Sequence, residues 1–180
     1  MRQLRYGVAT SLDGFIAGSK GEYDWIVRDS GIDFAAMWAR FDIVLMGRKT
    51  FEIADSMRAS FSGSCPRWVV VSSTLKPEDH SGVTILSTGI VEAVAALKAE
   101  RGLEAQKDIW LFGGGALFRF LPDAGLVDAI DVSVMPVLLG RGIPLLPEGR
   151  RQTLQLDTSK TLPSGILLLS YTVKPQPTNL

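Results

Sequence analysis

The segment Ile109-Trp-Leu-Phe-Gly-Gly-Gly-Ala-Leu-Phe118 constrains this 180-residue chain more than any other. Four residues rich in β-formers run straight into three consecutive glycines, and a helix is predicted to follow. A glycine backbone has no Cβ, so it turns tightly and admits a ligand that any side chain would hold off. At a strand-to-helix junction the free N–H groups of the first helical turn face outward and favour an anion. A dinucleotide pyrophosphate is the natural guest. A lone glycine triplet is more often a plain flexible turn. What weighs against that here is a second junction upstream, Leu45-Met-Gly-Arg-Lys-Thr-Phe51.

Around these junctions apolar runs alternate with helical patterns, which predicts βαβ units and a mainly parallel sheet. Strands are expected at Leu4–Ala9, Ile43–Met46, Trp68–Val71, Val83–Leu86 and Asp108–Phe112. Helices are expected at Asp33–Phe41, Thr50–Met57, Ile90–Glu100 and Ala116–Phe120, the third stopped by Gly102. In the first of them Phe34, Met37, Trp38 and Phe41 share one face. After Pro122 the pattern changes. Val127–Val134, Thr153–Thr158 and Ile166–Val173 read as strands with no helix between them. Long strands joined by Gly/Pro connections, such as Thr161-Leu-Pro-Ser-Gly165, predict an antiparallel edge on the parallel sheet. One α/β domain over residues 1–174 is expected, with a frayed tail over 175–180.

Lys plus Arg and Asp plus Glu both total 19, for a formal net charge of zero. A duplex-binding protein needs a strong basic field, so nucleic acid is not an expected partner. The sole cysteine, Cys65, cannot form an internal disulfide, and the sole histidine, His80, is expected in a solvated polar loop. These counts argue against a histidine triad, a His/Cys zinc site and thiol chemistry, so no metal is expected. The longest apolar runs, such as Ile166-Leu-Leu-Leu169, are strand-sized and too short for a membrane span. The N-terminus carries no signal-peptide core. The expectation is a cytoplasmic protein acting on a small-molecule substrate, with a homodimer left open.

Gly47-Arg-Lys-Thr50 follows a buried strand, so Gly47 sits at a sharp turn and Arg48, Lys49 and Thr50 open a helix. Arginine offers a planar fork of donors to a phosphate, lysine a point charge and threonine a hydroxyl; a solvated basic turn is the alternative. Ser72 and Ser73 end the third strand at the edge where open α/β sheets bind ligands. Three strand ends thus present anion-friendly groups: Arg48/Lys49/Thr50, Ser72/Ser73 and Gly113/Gly114/Gly115. A dinucleotide with an extra 2′-phosphate meets all three, which favours NADPH over NADH.

In order and spacing, four segments resemble the dihydrofolate reductase fold family, and within it the C-terminal reductase domain of the riboflavin-biosynthesis deaminase–reductase. The resemblance runs from Leu4 to Val173. Ala9-Thr-Ser-Leu-Asp-Gly-Phe-Ile-Ala17 resembles the first strand and loop beside the nicotinamide, which implies cofactor contacts at Ala9, Ile16 and Ala17. Met46-Gly-Arg-Lys-Thr-Phe51 resembles the 2′-phosphate turn, and Val71-Ser-Ser-Thr74 the adenosine-side strand end. Phe112-Gly-Gly-Gly-Ala-Leu-Phe118 resembles the pyrophosphate loop. There the resemblance implies contacts from Gly113 to Leu117, Ala116 included, and a cis peptide between Gly113 and Gly114. The zinc-binding deaminase signature is absent.

The resemblance implies NADPH-dependent hydride transfer to a C=N or C=O group, with the aminouracil phosphoribosyl intermediate as substrate. A weak dihydrofolate reductase, or a nucleotide-binding protein of this fold without catalysis, are the alternatives. Two carboxylates are candidate catalytic groups. Asp13 could orient substrate hydroxyls or supply a proton, or simply form the Asp-Gly turn. Asp33 matches the folate-type acid loosely and is equally suited to capping a helix. Trp25 and Trp38 are open between cleft walls and core. Gly140-Arg-Gly142 is open between a site loop, with Arg141 on a substrate phosphate, and a surface turn.

Overall fold

The computed structural model describes residues 2–56, 66–100 and 107–175. Within them the runs of β-branched and aromatic residues become strands: β1 (Leu4–Ser11), β2 (Phe15–Ala17), β3 (Phe41–Gly47), β4 (Arg67–Val71), β5 (Val83–Leu86), β6 (Asp108–Gly113), β7 (Ala129–Met135), β8 (Ile143–Pro144), β9 (Leu154–Thr161) and β10 (Leu167–Val173). The helices between them are α1 (Phe34–Ala39), α2 (Arg48–Ser56), α3 (Ile90–Ala99) and α4 (Gly115–Asp123). Eight strands form one sheet in the order β5-β4-β3-β6-β1-β7-β10-β9. Neighbours from β5 to β7 pair parallel. β10 pairs antiparallel with β7, and β9 antiparallel with β10. This is the α/β architecture with an antiparallel C-terminal edge that the strand pattern predicts.

Ile43–Met46 of β3, Trp68–Val71 of β4 and Ile109–Phe112 of β6 are unbroken apolar runs because helices cover both faces. One face packs Leu4, Tyr6, Leu45, Ile109 and Leu111 against Val94 of α3 and Leu117 and Leu121 of α4. The other packs Val44, Met46, Trp68, Val70 and Trp110 against Phe51 and Ala54 of α2 and Met37 and Trp38 of α1. At the antiparallel edge Arg5 donates to both oxygens of Asp131 at 3.0 and 2.9 Å, and Ser170 Oγ donates to the same carboxylate at 2.6 Å. Burial works against that charge, but Arg5 and Ser170 outweigh it and hold the carboxyl below its ordinary range. The network joins β1, β7 and β10.

Several boundaries move, each for a packing reason. Phe41 opens β3 instead of closing α1, because its ring stacks on Trp110 of β6 at 5.2 Å. α2 starts at Arg48, two residues before the predicted Thr50. α4 runs through Pro122 to Asp123. Pro122 has no N–H for the helix ladder, so the helix ends one residue later, and the Pro122 carbonyl accepts from Gly125 N at 2.9 Å. β2 and β8 pair as a separate two-stranded sheet, too short to have shown a periodicity. His80 is half-buried, its ring edge-on to Phe51 at 5.2 Å, instead of solvated in a loop. Met57, Cys65, Gly102 and the tail from residue 176 lie outside the described residues.

Candidate active site

The parallel strands end on one edge of the sheet, the edge where open α/β proteins bind ligands. Met46 pairs with Gly113, so the β3–α2 and β6–α4 junctions are neighbours. They also lie close enough that a side chain on Gly113 or Gly114 would meet the other junction. A Cβ placed on Gly114 would lie 3.5 Å from the backbone nitrogen of Gly47, and one on Gly113 would lie 3.3 Å from Thr50 Oγ1. Both glycines have positive φ, +147° at Gly113 and +94° at Gly114, a region that disfavours every other residue. No side chain caps α4, whose first turn begins with Gly115 and Ala116, leaving its N–H groups for another acceptor. Leu117 turns its side chain into the core. No cis peptide occurs among the described residues, so the positive φ values, not the cis bond the resemblance implies, make the Gly113–Gly114 turn.

Beside Gly47 lies an open groove of about 420 Å³, lined by Arg48, Val71, Ser72, Ser73, Thr74 and Ser87. Arg48 forms an ion pair with Glu52 one turn along α2, at 2.6 Å. Lys49 is exposed next to it. Ser72 is buried, and its hydroxyl accepts from Thr74 N at 3.1 Å and Leu75 N at 3.0 Å. It therefore shapes the turn, while the exposed Ser73, Thr74 and Ser87 offer hydroxyls to the groove. Thr74 closes the segment expected at the adenosine side, whereas Ser87 was not among the expected site residues. The signal for Ser87 was available, since it follows β5 as Ser72 follows β4.

The substrate side is built on β1. This strand pairs with β6 only as far as Tyr6 and Leu111, but follows β7 to Ser11 and Met135. The sheet therefore parts between β1 and β6 toward the ligand edge, with Ala9 on one side and the glycine turn on the other. Where it begins to part, Trp110 fills the space next to Gly7, its Nε1 donating to the Gly7 carbonyl at 3.4 Å. Trp38 stacks edge-on to Trp110 at 4.6 Å and lies 6.1 Å from Phe112, half-buried in this aromatic group. Trp25 packs instead with Met135 and Ile166, and its Nε1 donates to Glu22 O at 3.1 Å. Ile16 and Ala17 lie in and beside the β2–β8 pairing, where Gly142 has no room for a Cβ against the Ala17 carbonyl. Arg141 at this loop is exposed, and its charge helps hold the Glu22 carboxyl low, after that residue's own backbone and Lys20 N.

The two candidate carboxylates are far from equivalent. Asp33 is the N-cap of α1, its Oδ1 accepting from Ala36 N at 2.9 Å. Asp33→Ala should cost about 1 kcal/mol of stability, read as a shifted urea midpoint at unchanged slope; no shift would remove the cap from the account. Asp13 is exposed, yet its carboxylate accepts from Ser11 Oγ at 2.6 Å, Leu139 N at 3.1 Å and Gly140 N at 2.7 Å.

A mostly parallel sheet with antiparallel C-terminal strands is the dihydrofolate-reductase-like fold. Dihydrofolate reductase from Enterococcus faecalis, solved with NADP(H), shares this fold at a TM-score of 0.65, with 16% identity over 96% of this chain and 97% of that one. The RibD C-terminal domain family matches residues 2–168, and the chain belongs to that family. YyaP of Bacillus subtilis is 30% identical over 94% of each chain. A Shewanella sp. PV-4 protein assigned to riboflavin biosynthesis superposes with a TM-score of 0.80 at 25% identity, covering 96% of this chain and 99% of that one. The Thermotoga maritima diaminohydroxyphosphoribosylaminopyrimidine deaminase/5-amino-6-(5-phosphoribosylamino)uracil reductase superposes at 0.73 with 16% identity, over 96% of this chain but 57% of that one. Among the described residues no helix is long and apolar enough to cross a membrane.

Proposed function

We propose that this protein is an NADPH-dependent reductase acting on a C=N or C=O group of a small substrate. The observation that carries the reading is the close approach of the two phosphate-friendly junctions, Gly113–Gly114 beside Gly47 and Thr50, with the serine groove beside them. The bare backbone of the glycine turn leaves room for a pyrophosphate, which suits the group the family implies. Arg48 and Lys49 would hold the 2′-phosphate, Ser73, Thr74 and Ser87 the adenosine side, and the first turn of α4 the pyrophosphate. When bound, the cofactor supplies the hydride. Ala9 and the loop after it border the space left for the nicotinamide and substrate, and the aromatic group around Trp110 excludes water behind it.

The substrate that family membership favours is the aminouracil phosphoribosyl intermediate of riboflavin biosynthesis. Following NADPH absorbance with that compound and with dihydrofolate in parallel tests the reading. Oxidation with the first supports it, oxidation with dihydrofolate alone assigns the folate reaction, and binding without turnover of either favours a nucleotide-binding protein.

NADPH should bind more tightly than NADH, because the 2′-phosphate meets Arg48 and Lys49. Losing a charge-assisted contact costs roughly 1.5–3 kcal/mol, so Arg48→Ala should weaken NADPH about tenfold or more. NADH affinity should barely change. Fluorescence titration of both cofactors checks this, and equal wild-type affinities would refute it.

A further inference from the structure

We infer that Asp13 is a positioning residue whose carboxylate locks the loop after β7 onto the loop after β1, holding the substrate side of the cleft in shape. The inference rests on the reductase reading. Asp13 lies two residues past the end of β1, the strand that borders the parted sheet. Its partners Leu139 and Gly140 lie just past the end of β7, so one side chain joins two loops more than 120 residues apart in sequence, at 3.1 and 2.7 Å. Backbone ties run alongside it. Leu12 N donates to Val137 O at 2.9 Å, and Leu145 N donates to Gly14 O at 2.8 Å. Phe15 and Ala17 of β2 pair with Pro144 and Ile143 of β8. Gly140 has φ +70°, a left-handed turn that aims its N–H at the carboxylate.

The same geometry argues against proton delivery by Asp13. A general acid must carry a proton and face the reacting atom. Asp13 Oδ1 instead accepts from both Ser11 Oγ and Leu139 N, and Oδ2 accepts from Gly140 N. Three donors favour the ionised form. The Ser11 hydroxyl is the largest influence and, with the Leu139 and Gly140 amides, it keeps the carboxyl below its ordinary range against a smaller desolvation effect. Ser11 is itself buried and fixed, accepting from Phe15 N at 2.9 Å.

Asp13→Asn tests the assignment, because the amide keeps the shape but exchanges one acceptor for a donor. A loop no longer held in place must be ordered when substrate binds, which lowers affinity, so KM for the aminouracil phosphoribosyl substrate should rise about tenfold or more. kcat should stay within about threefold, since no proton donor is lost. Amide exchange at Leu139 and Gly140, followed by NMR, should accelerate while the NADPH Kd and Tm stay close to wild type. Ser11→Ala removes one of the three donors and should move KM and exchange the same way by less. A kcat loss of about 10²-fold or more with KM and exchange unchanged would make Asp13 an acid and overturn the assignment. Unchanged exchange at Leu139 and Gly140 would overturn it as well. Failure of the reductase reading would appear separately, as a wild type that oxidises no NADPH.

Discussion

Asp128→Ala should lower folding stability by on the order of 3 kcal/mol, because it strands a buried ammonium group. Lys98 on α3 is 4% exposed, unusual for a lysine. Its Nζ reaches Asp128 Oδ2 at 2.6 Å and donates to Leu126 O at 2.7 Å. The same Oδ2 accepts from Leu4 N at 2.7 Å, so one carboxylate pins α3 and the start of β1 to the chain entering β7. Without it, Lys98 keeps the Leu126 carbonyl as its acceptor among the described residues. Lys98→Met should cost less, since an apolar chain of similar length fills the space and leaves no buried cation. Urea unfolding with unchanged slope measures both. A loss under about 1 kcal/mol for Asp128→Ala would show that water reaches Nζ.

Gly114→Ala should weaken NADPH binding by about tenfold or more, an energy of at least about 1.4 kcal/mol. Two effects add. At φ +94° an alanine is strained, a cost of roughly 1–3 kcal/mol that the folded state carries with or without ligand. A Cβ would meet Gly47 N at 3.5 Å, an ordinary contact, so its further cost falls on the pyrophosphate that would approach the bare backbone of this turn. Strain alone would lower Tm and leave NADPH affinity intact once the folded fraction is accounted for. The ligand effect must therefore survive that correction, with melting curves recorded beside titrations. A stable Gly114→Ala that binds NADPH like wild type would reduce the triplet to a turn and remove the main support for the cofactor site.

Much of the fold and part of the site were legible along the chain because the demands involved are local. An apolar run covered on both faces has to be apolar throughout, and Ile43–Met46 of β3 shows that pattern within its own residues. A turn that needs positive φ needs glycine, so Gly113 and Gly114 announced the junction without any partner in view. Arg48 and Lys49 stood out because a basic pair at a predicted helix start has a chemistry of its own. Asp33 left two roles open, and the cap contact to Ala36, three residues on, answers to local geometry as well.

What stayed hidden depends on residues distant in sequence. Ser87 reaches the groove because β5 lies beside β4. Trp110 and Trp38 meet only once α1 is laid across β6. Asp13 read as a turn former or a catalyst, and the loop after β7 gives it a third place. By itself the sequence determined the α/β alternation, the antiparallel finish and the glycine and arginine junctions, since backbone conformation and burial pattern act over a few residues. The strand order decided the rest. It brings Gly47 against Gly114 and the β7 loop over Asp13, and those contacts exist only where register and crossover place two distant segments within hydrogen-bonding reach.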